Sequence, residues 1–284
     1  MHKPVGATSY SVVESYRQAH GGNFTLKVAH GGTLDPFASG LLPILVGAAT
    51  RIFELIHELP KTYVACVEWG RETDSGDALG KIVAHGDRCR LSGETLNDAL
   101  SHQIGWTMQE PPAMSNKRVD GERAWVRARR GEEVTLRAER VYLHEAQWLR
   151  HELPERSFIQ LTCRGGFYVR SLAVSIGRSI GCLATLSSLH RTVIGPWSCP
   201  PIDTPTYLVG PQTVPWLPSH HASDHEVGQM RAGESISRVN LHEPEWAMPN
   251  GFPVPRPWAR IIHRAQIVGF LEGDRSARLL PGGV

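Results

Sequence analysis

The chain has 284 residues, of which 41% are hydrophobic and 20% charged, and its 30 Lys and Arg against 28 Asp and Glu give a formal net charge of +2. This balance is typical of a globular protein and excludes a disordered chain, and no stretch reaches the ~18 uninterrupted apolar residues of a membrane span. The near-neutral total does not indicate a nucleic-acid partner, so the distribution of the basic residues matters more than their sum.

The first half of the chain predicts alternating helices and strands. A helix is predicted over YSVVESYRQAHG (residues 10–21), with Ser9 as its N-cap. A glycine-rich stretch, AHGGTLDPFASG (29–40), follows, and a second helical pattern ends at Pro60. The runs TYVACVEWG (62–70) and KIVAHG (81–86) predict strands, because both are rich in Val and aromatic or other apolar residues.

The segment between those strands and the middle of the chain contains two further helical patterns. SGETLNDALSHQIG (92–105) predicts a helix that begins near Ser92 or Gly93. A basic helix is predicted within residues 115–131, where three arginines spaced i, i+4 and i+7 share one face. They are Arg123, Arg127 and Arg130. This face is either an ordinary solvated surface or a stripe that contacts phosphates, and the segment alone favours neither.

Strand-like segments run from Val141 through FIQLTC (158–163), and FYVRSLAVSIGRSIG (167–181) predicts an apolar helix with Gly181 as its C-cap. Strands interspersed with helices predict an α+β fold for residues 1–204. From about Thr204 Pro and His become dense, so a domain boundary is predicted near Pro205. Residues 205–284 are predicted to be a small β-rich module whose last strands are joined by a turn at Gly273–Asp274.

Several familiar motifs are absent. No Gly-Lys-Ser/Thr follows the glycine-rich stretch, and it lacks the G-x-G-x-x-G dinucleotide pattern. DSGDALG (74–80) suggests a calcium loop, but position twelve is His85 instead of Glu. His221 and His225 lie four residues apart, as a helical metal site would require, but their place in a Pro-rich tail favours ordinary surface histidines. The five cysteines are scattered and form no C-x-x-C pair, which predicts reduced thiols. The N-terminus has no apolar signal core, and together these features predict a cytoplasmic protein.

Residues 29–43, AHGGTLDPFASGLLP, resemble the defining motif of the TruB family of tRNA pseudouridine-55 synthases. That motif is Gly-His-x-Gly-x-Leu-Asp-Pro-x-Ala-x-Gly-x-Leu-Pro, and only its first glycine is changed here, to Ala29. Four more blocks resemble the family in order and spacing, so that the resemblance covers Lys3 to Trp197. These blocks are KPVGATS (3–9), KTYVACVEWGRETDSGDALGKIV (61–83), QEPPAMSNKRVDGERAWVRARRG (109–131) and CRGGFYVRSLAVSIGRSIGCLATLSSLHRTVIG (163–195).

The resemblance implies a mixed-sheet pseudouridine synthase catalytic fold followed by a PUA-like RNA-binding module, to which the tail is only weakly similar. It implies isomerisation of uridine in the T-loop of tRNA, with the T-arm as partner. Breaking the N1–C1′ bond of uridine and rejoining the base through C5 imports no group and oxidises nothing, so no cofactor or metal is expected. A monomer is expected.

The resemblance also assigns roles to individual residues. Asp35 is the expected catalytic carboxylate, which either attacks C1′ or takes a proton from C2′. Arg170 is expected to pair with Asp35, a contact that guanidinium can make bidentately. Tyr63 is expected to stack on the uracil and, as a further catalytic residue, to handle the C5 proton. Four further positions match substrate-contacting residues: His30, which fills the space left by the flipped base, Tyr168, Leu189, and Lys3, a candidate loop or phosphate contact. Arg191 is expected to support the site without touching the base.

Two other functions remain open from the residues alone. The same fold could serve as a catalytically silent tRNA chaperone, although binding alone does not require Asp35, Arg170 and Tyr63 together. A glycoside hydrolase or nucleosidase would need a second acid as proton donor. Glu54 and Asp74 are available, but the sequence pairs neither of them with Asp35.

Overall fold

The computed structural model describes residues 1–21, 25–86, 91–234, 236, 239–253, 257–272 and 278–279. The strands before residue 200 are β1 His2–Lys3, β2 Val28–His30, β3 Ser39–Leu41, β4 Ile44–Val46, β5 Lys61–Trp69, β6 Arg71–Thr73, β7 Ile82–His85, β8 Gly105–Gln109, β9 Arg118–Val119, β10 Glu122–Arg123, β11 Glu139–Glu152, β12 Arg156–Cys163, β13 Ala184–Ile194 and β14 Trp197–Ser198. Those of the tail are β15 Ser219–His221, β16 Trp258–His263, β17 Gln266–Glu272 and β18 Arg278–Leu279.

Six α-helices and two 3-10 helices accompany these strands in the described residues. The α-helices are α1 Ser9–Ala19, α2 Phe53–His57, α3 Gly93–Ser101, α4 Ala124–Arg129, α5 Val169–Ser179 and α6 Asp224–Arg231. The 3-10 helices are Gly47–Ile52, which leads into α2, and Gly210–Thr213. No helix within the described ranges has the length and apolar character needed to cross a bilayer.

An eight-stranded mixed sheet forms the centre of the fold, in the order β1-β3-β13-β5-β12-β11-β8, with β14 paired to the end of β13. All neighbours in it are antiparallel except β3 and β13, which are parallel. The predicted α+β class with a mixed sheet is therefore confirmed, as are the predicted strands that became β5 and β12.

Helix α5 packs an apolar face against this sheet. Leu172, Ala173 and Ile176 are at most 2% exposed and join the core cluster that contains Leu161 of β12 and Leu186 of β13. Their i, i+1 and i+4 spacing puts them on one face of the helix. Burying one Leu or Ile side chain contributes about 1.5–3 kcal/mol, so this face fixes the N-terminus of α5 against the sheet.

The N-cap of α1 lies one residue earlier than predicted. Thr8 is the N-cap and accepts a hydrogen bond from the Ser11 amide, so the prediction of Ser9 as N-cap was wrong. The buried Ser9 hydroxyl instead accepts from the Leu34 amide at 2.8 Å and donates to the Leu34 carbonyl at 3.0 Å. This pair of bonds ties the start of α1 to the residue that precedes Asp35.

The tail folds as a four-stranded sheet, in the order β15-β16-β17-β18, with α6 packed beside it. Its central hairpin turns at Arg264 and Ala265, whose φ angles are 49° and 61°. Such turns usually contain Asn or Gly, so this turn carries no residue pattern from which it could have been predicted. The turn predicted at Gly273–Asp274 lies outside the described residues.

The tail shares a hydrophobic cluster with the preceding residues. Val214, Trp216 and Ile267 of the tail pack in one cluster with Leu59 and Ile194. The boundary at residues 204/205 stays a prediction, and any truncation there would expose these apolar side chains to water.

Gly40, the last residue of the glycine-rich stretch, lies in β3 against Arg191 of the neighbouring β13. Its φ is +110°, and a Cβ at this position would lie 2.2 Å from the Arg191 carbonyl oxygen. We expect Gly40→Ala to lower the free energy of unfolding by about 3 kcal/mol, because a left-handed alanine and a backbone clash combine. Gly6→Ala is the matched control, since Gly6 also has a positive φ but nothing lies within 4 Å. Urea unfolding of both variants measures the difference, and equal losses would contradict the clash.

Candidate active site

A cavity of about 250 Å³ opens where the glycine-rich stretch faces the N-terminus of α5. It is lined by residues from five parts of the chain. They are residues 32–35, the α2 and β5 residues Phe53, His57, Lys61 and Tyr63, the pair Ser115 and Asn116, residues 164–170, and the β13 residues Leu189 and Arg191. The cavity brings together five of the predicted site residues: Asp35, Tyr63, Tyr168, Arg170 and Leu189.

Asp35 projects into this cavity because the residues around it are anchored in the core. Leu34 and Phe37 are 3% and 5% exposed, and the Asp35 carbonyl closes a turn by accepting from the Ala38 amide at 3.1 Å. The Asp35 side chain itself remains 31% exposed. The glycine-rich stretch thus holds the Asp35 carboxylate in a fixed position at the cavity.

Arg170 makes the predicted ion pair with Asp35. Its Nε lies 2.9 Å from Asp35 Oδ2, and its side chain is 3% exposed. The contact uses one nitrogen and one oxygen, so the bidentate geometry allowed for this pair is not formed. Nη1 instead donates to the Ser75 carbonyl at 2.7 Å and Nη2 to the Met114 carbonyl at 3.0 Å. These bonds fix the guanidinium, and with it the position of the Asp35 carboxylate.

Asp77 is a second acid near the site that sequence reasoning missed. Its Oδ2 lies 3.6 Å from Arg170 Nη1, whereas Asp35 contacts Nε of the same guanidinium, and Asp77 is 6% exposed. The available signal was the Thr-Asp-x-x-Asp-x-x-Gly block, where only Asp74 was considered as an acid. The turn is not a calcium loop. Asp74 accepts a hydrogen bond from the Lys81 amide and Asp77 accepts one from the Leu79 amide, and Asp77 also faces the Arg170 guanidinium.

The pKa of Asp35 reflects opposing influences. Burial is the largest and raises the pKa above its ordinary value, while Arg170 lowers it; Asp77 raises it and Lys3 lowers it. The net direction is upward. Because burial disfavours a charged carboxylate, Arg170 is the main group that keeps Asp35 ionised.

Tyr63 and Leu189 form the apolar side of the cavity. Tyr63 is 8% exposed, and burial raises the pKa of its phenol to about 12. It therefore stays protonated at neutral pH. Leu189 is 7% exposed and lies on β13, which pairs with β5. A flat ring beside an aliphatic side chain suits a planar base.

Tyr168 is held at the N-cap of α5 by the side chain of Gln109. The Gln109 amide donates to the Tyr168 carbonyl at 3.0 Å and accepts from the Tyr168 amide at 2.8 Å. Burial raises the pKa of the Tyr168 phenol, so it too is neutral in the site. Gln109, at the end of β8, was not singled out from sequence.

Two basic residues predicted at the site, Arg191 and Lys3, are buried and bonded to backbone carbonyls. Arg191 is 1% exposed and donates to the carbonyls of Leu41, Gly32 and Thr33, which supports the glycine-rich stretch as expected. Lys3 is 0% exposed, and its ammonium donates to the Pro4 and Ala7 carbonyls. Lys3 therefore presents no solvent-facing charge, and its expected loop or phosphate contact stays a prediction.

His30 lies on β2, half-buried and outside the lining of the cavity. Burial lowers the pKa of its imidazole, and its Nδ1 is buried without a hydrogen-bond partner. Its expected role in filling the space left by a flipped base stays a prediction.

The basic helix predicted within residues 115–131 is present but short. Helix α4 spans Ala124–Arg129, with Arg123, the last residue of β10, as its N-cap and Arg130 as its C-cap. Arg127 pairs with Asp120 and Glu132, and Arg130 pairs with Glu122 and Glu132. Residues 118–123 form a short hairpin before the helix begins, so Arg123 has extended instead of helical backbone geometry. The role of the three arginines as phosphate contacts stays a prediction.

Comparison with known proteins gives consistent results. Residues 20–169 match the family described as "TruB family pseudouridylate synthase (N terminal domain)". The chain is 40% identical to "tRNA pseudouridine synthase B" of Ruegeria pomeroyi over 69% of this chain and 63% of that protein. It is 34% identical to the protein of the same name from Thermobifida fusca over 84% of this chain and 83% of that protein.

A solved structure, "Crystal Structure of a Cbf5-Nop10-Gar1 Complex", resembles 98% of this chain and 80% of that chain with a TM-score of 0.66 at 20% identity. At this identity the similarity concerns the fold. It extends through the tail as well as the catalytic sheet.

Proposed function

Because this chain belongs to the TruB family of pseudouridylate synthases, we propose that it isomerises uridine to pseudouridine in the T-loop of tRNA, at position 55, with Asp35 as the reacting carboxylate. The observation that carries the proposal is the Asp35–Arg170 pair at 2.9 Å in a cavity with aromatic walls. A pair fixed in this way is what a reaction at a sugar carbon requires, since the charged group must be both ionised and aimed.

The reaction separates uracil from C1′ and rejoins it through C5. The N1–C1′ bond breaks with its electron pair on N1, positive character develops at the sugar, and the C5–C1′ bond forms after the base turns. C5 then loses its proton and N1 gains one, so no net group is exchanged. Asp35 either attacks C1′ or removes the C2′ proton, and an oriented carboxylate serves both routes.

The cavity suits a base that has left its stack. An enzyme that acts on a base within folded RNA extrudes the nucleotide into a pocket and recognises it by stacking and by hydrogen bonds. Tyr63 and Leu189 supply the flat apolar surface, while Tyr168 supplies a neutral phenol at the N-terminus of α5. We assign base stacking to Tyr63.

We propose that the basic segment and the PUA-like tail contact the tRNA outside the cavity. Arg123, Arg127 and Arg130 are the candidate phosphate ligands of the segment. Two of them are already paired with acids, so RNA phosphates compete with Asp120, Glu122 and Glu132 for them. Their contribution to binding is accordingly smaller than that of free cations.

Changing Arg123, Arg127 and Arg130 together to Gln is expected to weaken tRNA binding and flatten the log–log salt dependence by about 1, near the 0.7–0.9 expected for one neutralised phosphate. Fluorescence anisotropy across a salt series measures this slope. Arg156→Gln is the control, because Arg156 is also paired with an acid, Glu152. In the sheet Arg156 lies opposite Glu68, at the end of β5 that is away from Lys61 and the cavity. An unchanged slope in the triple variant would make the segment an ordinary solvated surface.

The alternative functions find less support. A nucleosidase or glycosidase needs a proton donor beside the nucleophile, and Asp35 is the only carboxylate among the described residues that line the cavity. Glu54 and Asp74 do not line it, and Asp77 is buried behind Arg170. A silent RNA chaperone would not need the buried cation that positions Asp35.

The test is incubation of the purified chain with an unmodified tRNA transcript, followed by detection of pseudouridine in the T-loop. Formation of pseudouridine at that position supports the proposal. Tight tRNA binding without any pseudouridine would support the chaperone, and release of free uracil would support the nucleosidase. We further propose that the protein acts in the cytoplasm as a monomer without a cofactor, consistent with four described cysteines that form no disulfide.

A further inference from the structure

A second cluster of reactive side chains lies on the far side of the strands that carry the catalytic residues. His2 precedes Lys3 in β1, and His190 precedes Arg191 in β13. Side chains alternate between the two faces of a sheet, so both histidines face away from the cavity that Arg191 lines. Cys199 follows β14 and completes the cluster.

The three side chains are arranged as metal ligands. One donor atom from each of His2, His190 and Cys199 lies within 4.8 Å of the other two, and all three residues are half-buried. Among the residues that the structure describes, this is the one group of three His, Cys, Asp or Glu with that geometry. Tetrahedral zinc with bonds of about 2.0–2.3 Å places its ligand atoms roughly 3.3–3.8 Å apart, so closing the site needs movements of no more than about 1–1.5 Å.

Two hydrogen-bonding observations indicate a missing partner. His2 Nδ1 is buried and makes no hydrogen bond, which is unusual for a polar atom out of contact with water. His190 Nδ1 lies 2.8 Å from Ser39 Oγ, and such a bond to one ring nitrogen orients the other toward a metal. An ion in the cluster would satisfy His2 and use the orientation that Ser39 gives to His190.

We propose that His2, His190 and Cys199 form a zinc site, with one nitrogen from each imidazole, the Cys199 thiolate, and water as the fourth ligand. Mixed nitrogen and thiolate donors suit Zn²⁺, which prefers four-coordinate geometry. Binding displaces the Cys199 thiol proton to solvent, and no electron is transferred. This site is separate from the proposed isomerisation and supplies nothing to its chemistry.

The zinc would join the first strand of the chain to the end of the catalytic sheet. Cys199 is held near β13 because its amide donates to the Thr192 carbonyl at 2.7 Å, and Pro200 begins the connection to the tail. A ligand that binds only the folded state stabilises it in proportion to the logarithm of its excess concentration. The site would therefore act as a cross-link between β1, β13 and the start of the tail.

The test uses the full chain, purified without a polyhistidine tag, stripped with a chelator under reducing conditions and titrated with Co²⁺ and then Zn²⁺. We expect one equivalent of Co²⁺ to give tetrahedral d–d bands and a thiolate-to-cobalt charge-transfer band that Zn²⁺ removes. At a hundredfold excess over Kd, Zn²⁺ should raise Tm by roughly 5 °C. A titration without the thiolate band, or a stoichiometry well below one, overturns the proposal.

Variants locate the ion. Loss of a group that hydrogen-bonds a metal ligand lowers metal affinity by about 10–100-fold. Ser39→Ala, which keeps all three ligands, should therefore weaken Zn²⁺ binding by ~10-fold, and Cys199→Ser and His190→Asn, which each remove a ligand, by at least ~100-fold. Cys66→Ser and the exposed His225→Asn are matched controls and should bind as wild type does. If Cys199→Ser and His190→Asn keep wild-type affinity, the ion is held elsewhere, for example by the terminal amine and His2, and the proposal fails. The wild-type cobalt spectrum decides the question even where a variant does not fold.

Discussion

Asp35→Asn is expected to abolish pseudouridine formation, lowering the single-turnover rate by at least ~10⁴-fold, while tRNA still binds. Asparagine has nearly the same shape but carries no negative charge, so it can neither attack C1′, remove the C2′ proton, nor stabilise positive character at the sugar. The backbone of the glycine-rich stretch should be unaffected, because Leu34 and Phe37 anchor it independently of the carboxylate.

The measurement is pseudouridine formed per enzyme at saturating tRNA, with binding followed by anisotropy. Asp98→Asn, an exposed residue of α3, is the control for loss of one negative charge and should retain the wild-type rate. Turnover by Asp35→Asn within ~10-fold of wild type would remove Asp35 from the catalytic role and with it the central assignment of the proposed function.

Arg170→Ala is expected to cost about 3–5 kcal/mol of transition-state stabilisation, or roughly 10²–10⁴-fold in rate, because it leaves the Asp35 carboxylate without its partner. Asp35 should also titrate at higher pH. Burial already raises its pKa and Arg170 is the main opposing influence, so removing Arg170 raises the pKa further. Since the reaction needs the ionised form, activity should fall at neutral pH and recover partly as the pH rises.

The pH profile of the single-turnover rate distinguishes this role from a purely structural one. Arg170→Lys should rescue only part of the rate, since one ammonium cannot contact Asp35 and also donate to the Ser75 and Met114 carbonyls in the same geometry. Arg178→Ala, on the exposed side of the same helix, is the control. A wild-type acidic limb in folded Arg170→Ala would show that Arg170 does not govern the ionisation of Asp35.

Much of the site could be anticipated from sequence because the relevant residues lie in short, contiguous motifs. Asp35 was identified from a fifteen-residue match, and Arg170 from its place in another block. Their contact spans 135 positions along the chain and depends on how α5 docks against the glycine-rich stretch. Asp77 was missed because nothing local shows that a turn between β6 and β7 folds beneath Arg170.

The extent of the helix in the basic segment could not be predicted, for a related reason. Periodicity places Arg123, Arg127 and Arg130 on one helix face only if the helix spans all three. Residues 118–123 form a hairpin instead, where Asp120 adopts a φ of 51°, and the acids of the segment then pair with two of the arginines. Local spacing carries no information about such a choice, because pairing between strands competes with helix formation through the geometry of the turn.

The sequence by itself determined the class of the fold, most of the strands and helices, and, through the resemblance to the TruB family, the candidate for the reacting acid, because hydrophobic periodicity and contiguous motifs are local properties of the chain. Only the tertiary structure decided that Lys3 is buried, that Ser9 anchors Leu34 instead of capping α1, and that His2, His190 and Cys199 meet. Each of these outcomes depends on distant segments that pack together, and the free energy of such contacts exceeds local preference.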